Sequence, residues 1–272
     1  MDFNLPKREQ YSNKGTFGKV LNISGSDNYT GAAYLSSVSA LKVGCGLVSL
    51  CSSAKVISAV SNLSPDITFT PLTDLKNKID DFDVISIGCG LSTETAQTVL
   101  FKSVLSALQD KETPLVIDAD GINILSKLKK PILPVNTIIT PHIKEASRLL
   151  KTDVKKILDK PIDYAKKISE KYKCTTILKQ HSTVVCSKDM EIYINETGNS
   201  ALAKAGSGDV LTGMVSGFLA QKMTPFEAAK LAVFLHGKTG ELASSMLTEY
   251  STLASDLIKY IPLAIQMMLD EN

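Results

Sequence analysis

The sequence lacks the marks of several large functional classes. No apolar run approaches the ~18 residues that a membrane span requires. The start of the chain carries Asp2, Lys7, Arg8 and Glu9 without an apolar stretch, so it does not read as a secretory leader. Neither charge is in large excess: 30 Lys and Arg face 28 Asp and Glu, a net charge of +2. The basic residues form no dense block, which argues against nucleic acid as a principal partner. Cys45, Cys51, Cys89, Cys174 and Cys186 are odd in number and never spaced C-x-x-C. That argues against a disulfide framework and predicts reduced thiols in a cytoplasmic protein. His142, His181 and His236 lie far apart, and no H-E-x-x-H spacing marks a zinc site. There is no internal repeat, low-complexity tract or linker.

What is present is an ordinary globular composition, 44% hydrophobic and 21% charged over 272 residues. The length suits one large domain with a sizeable core. Residues 19–24 (KVLNIS), 46–51 (GLVSLC), 83–87 (DVISI), 114–118 (PLVID) and 137–140 (TIIT) read as short strands. Most are nearly continuous apolar runs, and glycine or polar turns follow them. Helical segments alternate with them, at 31–43, rich in small residues, and at 93–108. This alternation predicts an α/β fold with a doubly wound, mostly parallel sheet flanked by helices. Ile162, Ala165, Ile168 and Tyr172 form an apolar helical stripe. Three further strands, 175–179, 183–186 and 190–194, include a hairpin through Ser187-Lys188-Asp189 and predict an antiparallel edge. Thr224-Pro225-Phe226-Glu227 starts a helix, with Thr as cap, Pro in the first turn and Glu three residues on. Ala228, Leu231, Ala232 and Leu235 share one face of it. Pro262 is expected to break the last helical stretch.

The strongest chemical signal is Ala205-Gly206-Ser207-Gly208-Asp209, followed by a helix over 210–221. Glycines before a helix leave backbone N–H groups facing an anion, and the helix dipole favours negative charge there. No Lys-Ser/Thr follows, so this is not a P-loop. Asp209 reads as the base for a hydroxyl attacking a terminal phosphoryl group, or as a helix cap. Gly31-Ala32-Ala33 and Gly88-Cys89-Gly90-Leu91 follow strand ends, where doubly wound sheets bind ligands. Asp118-Ala119-Asp120, with Asn123 after it, reads as a holder of Mg²⁺ waters or ligand hydroxyls, or as a cap through Asp120. Thr140-Pro141-His142, leading to Glu145, turns a histidine to the same crevice unless it is a surface or packing residue. Lys179, ending TTILK, reads as a phosphate contact or an exposed strand-end lysine.

Taken in order with Asn13-Lys14-Gly15-Thr16-Phe17-Gly18, Gly25-Ser26, Gly44-Cys45-Gly46-Leu47 and Thr197-Gly198-Asn199, these motifs resemble the ADP/ATP-dependent NAD(P)H-hydrate dehydratase family of the ribokinase-like superfamily. The resemblance runs from about Lys14 to about Pro262. It implies dehydration of the S form of hydrated NADH or NADPH, coupled to hydrolysis of ADP or ATP, with Mg²⁺. It implies that Ala32, Gly90, His142 and Asp209 touch the hydrated dinucleotide. It places Lys179, Gln180, His181, Ser182, Thr183, Asn199, Gly206, Ser207 and Gly208 on the adenine nucleotide, and gives no metal ligands. It also implies a homotetramer. Three positions depart from the family: Asn13 replaces His, Cys89 replaces Pro and Gln180 replaces Gly. The length leaves no room for the N-terminal epimerase domain of many relatives, so an epimerase is expected on a separate protein. The alternative is a small-molecule kinase of the same superfamily, against which Thr140-Pro141-His142 and Thr197-Gly198-Asn199 speak together.

Overall fold

The computed structural model describes residues 3–271. Its first half alternates strictly. It contains β1 (Lys19–Ile23), α1 (Thr30–Lys42), β2 (Leu47–Ser52), α2 (Ala54–Ser61), β3 (Thr68–Pro71), α3 (Leu75–Lys78), β4 (Val84–Ile87), α4 (Thr95–Ala107), β5 (Leu115–Ile117), α5 (Ala119–Lys127) and β6 (Thr137–Ile139). Helices α6 (Ile143–Leu150), α7 (Val154–Asp159) and α8 (Pro161–Tyr172) then precede β7 (Thr175–Leu178), β8 (Val184–Cys186) and β9 (Ile192–Ile194). Helices α9 (Ser207–Ala220), α10 (Pro225–Leu247) and α11 (Ala254–Glu271) follow.

The strands form one nine-stranded sheet in the order β3-β2-β1-β4-β5-β6-β7-β8-β9. It is parallel from β3 to β7 and antiparallel at β7-β8 and β8-β9. The order reverses between β1 and β4, so a crevice opens at their C-terminal ends. Gly25 N–H donates to Cys89 O across that gap at 2.8 Å. Gly88, at φ +127°, brings the β4 end so close to β5 that a Cβ there would lie 2.0 Å from Asp118 O.

Side-chain alternation along the strands builds two cores. Val20, Val84, Val116, Ile138, Ile177 and Val185 face α1, α9, α10 and α11. Leu21, Ile85, Ile117, Ile139 and Leu178 face the opposite layer, which includes α4, α5, α6 and α8. The small residues of α1 are explained by α9: a Cβ on Gly213 would lie 2.1 Å from Ser36 O, and one on Gly217 2.6 Å from Ala40 O. Asn22, buried under α1, donates to Ser36 and Ser37 Oγ and accepts from Ser86 Oγ, so this polar patch is satisfied. All five cysteines are buried and free. Among the described residues, no helix is long and apolar enough to cross a membrane.

Thr224 caps α10 as expected, accepting from Glu227 N–H at 3.4 Å. Two expectations fail and one strand, β3, went unpredicted. Ile162 is exposed, leaving Ala165, Ile168 and Tyr172 as the buried stripe of α8. β3 (TFTP) reads poorly as a strand because half of it faces solvent. Pro262 does not end the last helix; α11 passes through it. Pro262 is exposed, while Leu257, Ile258, Ile261, Ala264 and Met268 are buried on the other side. That burial offsets the ~3 kcal/mol a mid-helix proline costs.

Candidate active site

Gly206, at φ +90°, turns the chain into α9. The helix starts at Ser207, three residues earlier than expected, so Asp209 lies inside the first turn and is not its cap. Nor does Asp120 cap α5: it ties down the β4 loop by accepting from Ser92 N–H at 2.8 Å and Asn123 Nδ2 at 3.3 Å.

Asp118 ends β5, is 1% exposed, and pairs with Lys179 Nζ at 2.6 Å. Thr212 Oγ1, one turn beyond Asp209, donates to the other Asp118 oxygen at 2.7 Å. Lys179 is thus neither an exposed strand-end residue nor an unengaged cation. Burial alone would raise the Asp118 carboxyl, but the Lys179 ammonium and the hydrogen bonds hold it below its ordinary value. Burial would lower Lys179, and Asp118 more than reverses that.

Asp209 behaves differently. Burial, with the nearby Asp118 charge, raises its carboxyl to about 6. Cys89 Sγ and oxygens of Asp118 and Asp209 all lie within 4.8 Å of one another. Burial, then the Asp209 and Asp118 charges, push the Cys89 thiol well up, so it stays protonated. The two carboxylates offer the oxygen donors that suit Mg²⁺; the thiol does not, and Asp118 is already engaged by Lys179. Asp118 and Asp209 are therefore the oxygen donors of this cluster that would suit Mg²⁺.

Beside this centre lies a cavity of about 740 Å³. His142, Lys179, Gln180, His181, Thr183, Asn199, Ser207 and Gly208 line it; Ser182 and Gly206 do not. Ala32 and Gly90 lie elsewhere, packed together at the β1–β4 crevice: a Cβ on Gly90 would fall 2.9 Å from Ala32 Cβ. A second cavity of about 460 Å³, lined by Gly25, Ser26, Tyr29, Leu91 and Ser92, adjoins them. Asp209 stands beside Cys89, on the strand end that leads to Gly90. His142 therefore faces the cavity of the expected nucleotide residues, where it also caps α6: its Nδ1 accepts from Lys144 and Glu145 N–H. Burial and Lys179 lower its pKa, while burial raises its partner Glu145 to about 7. Gln180 folds back to donate to Ser182 O at 3.1 Å.

Sequence reasoning missed α10 as the floor of this cavity. Thr197 Oγ1 donates to Phe234 O, Gly198 N–H to Glu241 Oε1, and Asn199 Nδ2 to Ser244 Oγ. His236 contacts Ser207 directly. The available signal was a histidine in the otherwise apolar run Val233–Gly237 of a buried helix.

A sequence model described as NAD(P)H-hydrate dehydratase matches residues 20–263. The chain belongs to the NAD(P)H-hydrate dehydratase family. It is 37% identical over 258 residues to an ADP-dependent (S)-NAD(P)H-hydrate dehydratase of Neisseria meningitidis, covering 92% of this chain and 84% of the relative. It is 33% identical to a bifunctional NAD(P)H-hydrate repair enzyme of Moorella thermoacetica and covers 53% of it, so it spans about half the length of that relative. The structure of a Bacillus subtilis ADP/ATP-dependent NAD(P)H-hydrate dehydratase, co-crystallised with ATP/Mg²⁺, superposes with a TM-score of 0.87. The two are 31% identical, over 97% of this chain and 94% of the other. The ribokinase-like sheet and its antiparallel edge accord with that match.

Proposed function

We propose that the protein restores NADH or NADPH from the S form of the hydrate, consuming ADP or ATP. The carrying observation is Asp209, a carboxylate raised to about 6 beside the glycine turn that opens α9. A base ionising just below neutral pH is largely ionised at work and still accepts a proton readily. Hydroxide is a poor leaving group, so the hydrate's hydroxyl must first become a phosphate ester. Asp209 takes the hydroxyl proton, and the oxygen attacks the terminal phosphorus of the nucleotide, whose shortened remainder leaves. The ring nitrogen's lone pair then expels inorganic phosphate, and loss of a proton from the neighbouring carbon restores the double bond.

In this reading Ala32, Gly90, His142 and Asp209 contact the hydrate. Lys179, Gln180, His181, Ser182, Thr183 and Asn199, with Gly206, Ser207 and Gly208, hold the nucleotide. The start of α9 supplies N–H groups to the phosphoryl oxygens. Mg²⁺, when bound with the nucleotide, offsets phosphate charge. Five buried, unpaired cysteines suit a reducing cytoplasm.

The test is to incubate the protein with hydrated NADH, Mg²⁺ and each nucleotide, and to follow dihydronicotinamide absorbance and phosphate together. One phosphate should appear per NADH restored. Nucleotide consumption only with a small alcohol, leaving a stable phosphorylated alcohol, would replace this reading with a kinase.

A further inference from the structure

We infer that His236 is a positioning residue: it orients Ser207 so that the Ser207 hydroxyl and the Gly208 N–H are presented to the nucleotide's phosphates. The inference rests on the nucleotide-dependent reading above. His236 lies on α10, is 8% exposed, and borders the larger cavity. Its Nε2 is 3.0 Å from Ser207 O and 3.2 Å from Ser207 Oγ.

A carbonyl oxygen only accepts, so Nε2 carries the hydrogen. Burial pushes the ring pKa down to about 4, so the neutral Nε2–H tautomer is the working form. Two consequences follow. The Ser207 hydroxyl cannot give its hydrogen to a nitrogen that already holds one, so that hydrogen turns to another acceptor. Ser207 and Gly208 both line the cavity at the opening of α9, where the helix end favours an anion. In addition, the C=O and N–H of one trans peptide point in opposite directions. Holding Ser207 O toward α10 therefore aims the Gly208 N–H away from it. One imidazole thus fixes two donors, and it joins the loop to the same helix that holds Thr197, Gly198 and Asn199.

The experiment compares His236→Gln, His236→Leu and Ser207→Ala. Gln keeps an N–H donor near the Nε2 position; Leu fills the space without one. ADP affinity is read by calorimetry without hydrate, together with melting temperature and, with hydrate, separate kcat and KM values. His236→Leu should weaken ADP binding about tenfold or more, the scale of a lost hydrogen bond to a charged group, and Ser207→Ala should act similarly. His236→Gln should stay within about threefold of the parent. In the Ser207→Ala background, His236→Leu should lose much of its effect. A purely packing role predicts the opposite order, with Leu tolerated and Gln harmful. The proposal is overturned if Leu binds ADP like the parent, if Gln and Leu lose equally, or if a folded Ser207→Ala variant is unchanged. Should His236→Leu fail to fold, the Gln and Ala variants decide alone. Failure of the parent to turn over hydrate would refute the functional reading and leave the ADP measurements standing.

Discussion

Replacing Asp209 by Asn should weaken catalysis and strengthen the fold together. Asn has nearly the same shape but cannot accept a proton, and loss of a general base costs ~10²–10⁴-fold in rate. The stability effect follows from the raised carboxyl. It ionises at about 6 in the fold and at 3.8 in an unperturbed state. Carrying the charge in the folded protein therefore costs about 3 kcal/mol above that range, and about 2 kcal/mol after allowing for partial exposure. A neutral amide removes this cost, which for a chain of 272 residues corresponds to a melting temperature higher by about 3 °C. The sign is fixed by linkage: the folded form holds the proton more tightly than the unfolded one. The parent's handicap is therefore full above pH 6 and fades as the pH falls through 6 toward 4. The variant's thermal advantage should shrink over that same window. Parent activity should also fall on the acid side of pH 6 as the base protonates. Calorimetric melts at several pH values, beside single-turnover rates, make the test. Turnover within a few-fold of the parent, or a variant that melts below it at pH 7.5, would refute the reasoning.

Lys179→Met should leave Asp118 buried and unpaired, costing ~3–5 kcal/mol, and the further change Asp118→Asn should recover much of the loss. A single variant that melts no lower than the double would show the pair to be dispensable. Calorimetry should also find nucleotide binding weakened more than hydrate binding; equal weakening would count against the nucleotide assignment of Lys179. Gly208→Ala should fold normally, because its Cβ would stand 3.3 Å from Lys179 Nζ and 3.8 Å from Asp118 Oδ2, with no backbone atom among its close neighbours. That Cβ narrows the space at Lys179, so ADP affinity should drop at least about tenfold with melting unchanged within ~2 °C. An unchanged affinity would move the phosphates elsewhere.

The parallel half of the sheet was legible because buried strands need apolar residues on both faces, and KVLNI, VISI and LVI are nearly unbroken. The small residues of α1 were visible, but their reason, Gly213 and Gly217 pressed against them, is tertiary. Pro262 misled because propensity was weighed without the buried face that holds α11 in place. Within the site, the 206–209 string announced a loop for anions. Whether Asp209 capped the helix depended on where α9 starts, and Gly206's positive φ decides that. Asp118 and Lys179 each stood out, yet nothing local ties residues 61 positions apart; adjacency of β5, β6 and β7 does. His236 belonged to an apolar helix by pattern, and only the fold brings Ser207 to it.

Asp118 and Asp209 are pushed in opposite directions. Lys179 holds Asp118 ionised, and burial, reinforced by that Asp118 charge, disfavours ionisation of Asp209. Thr212 links the two effects. It lies three residues after Asp209 on α9 and donates to Asp118 Oδ2, anchoring the first turn of the helix to the end of β5. The position of the base therefore depends on a residue that need not touch the hydrate at all. Removing the Asp118 charge would lower the Asp209 carboxyl toward its ordinary range while weakening the anchor. Both changes act against a base that must stand near the incoming hydroxyl and accept its proton close to neutral pH. Asp118 can thus matter to the rate through geometry and charge without taking part in the proton transfer.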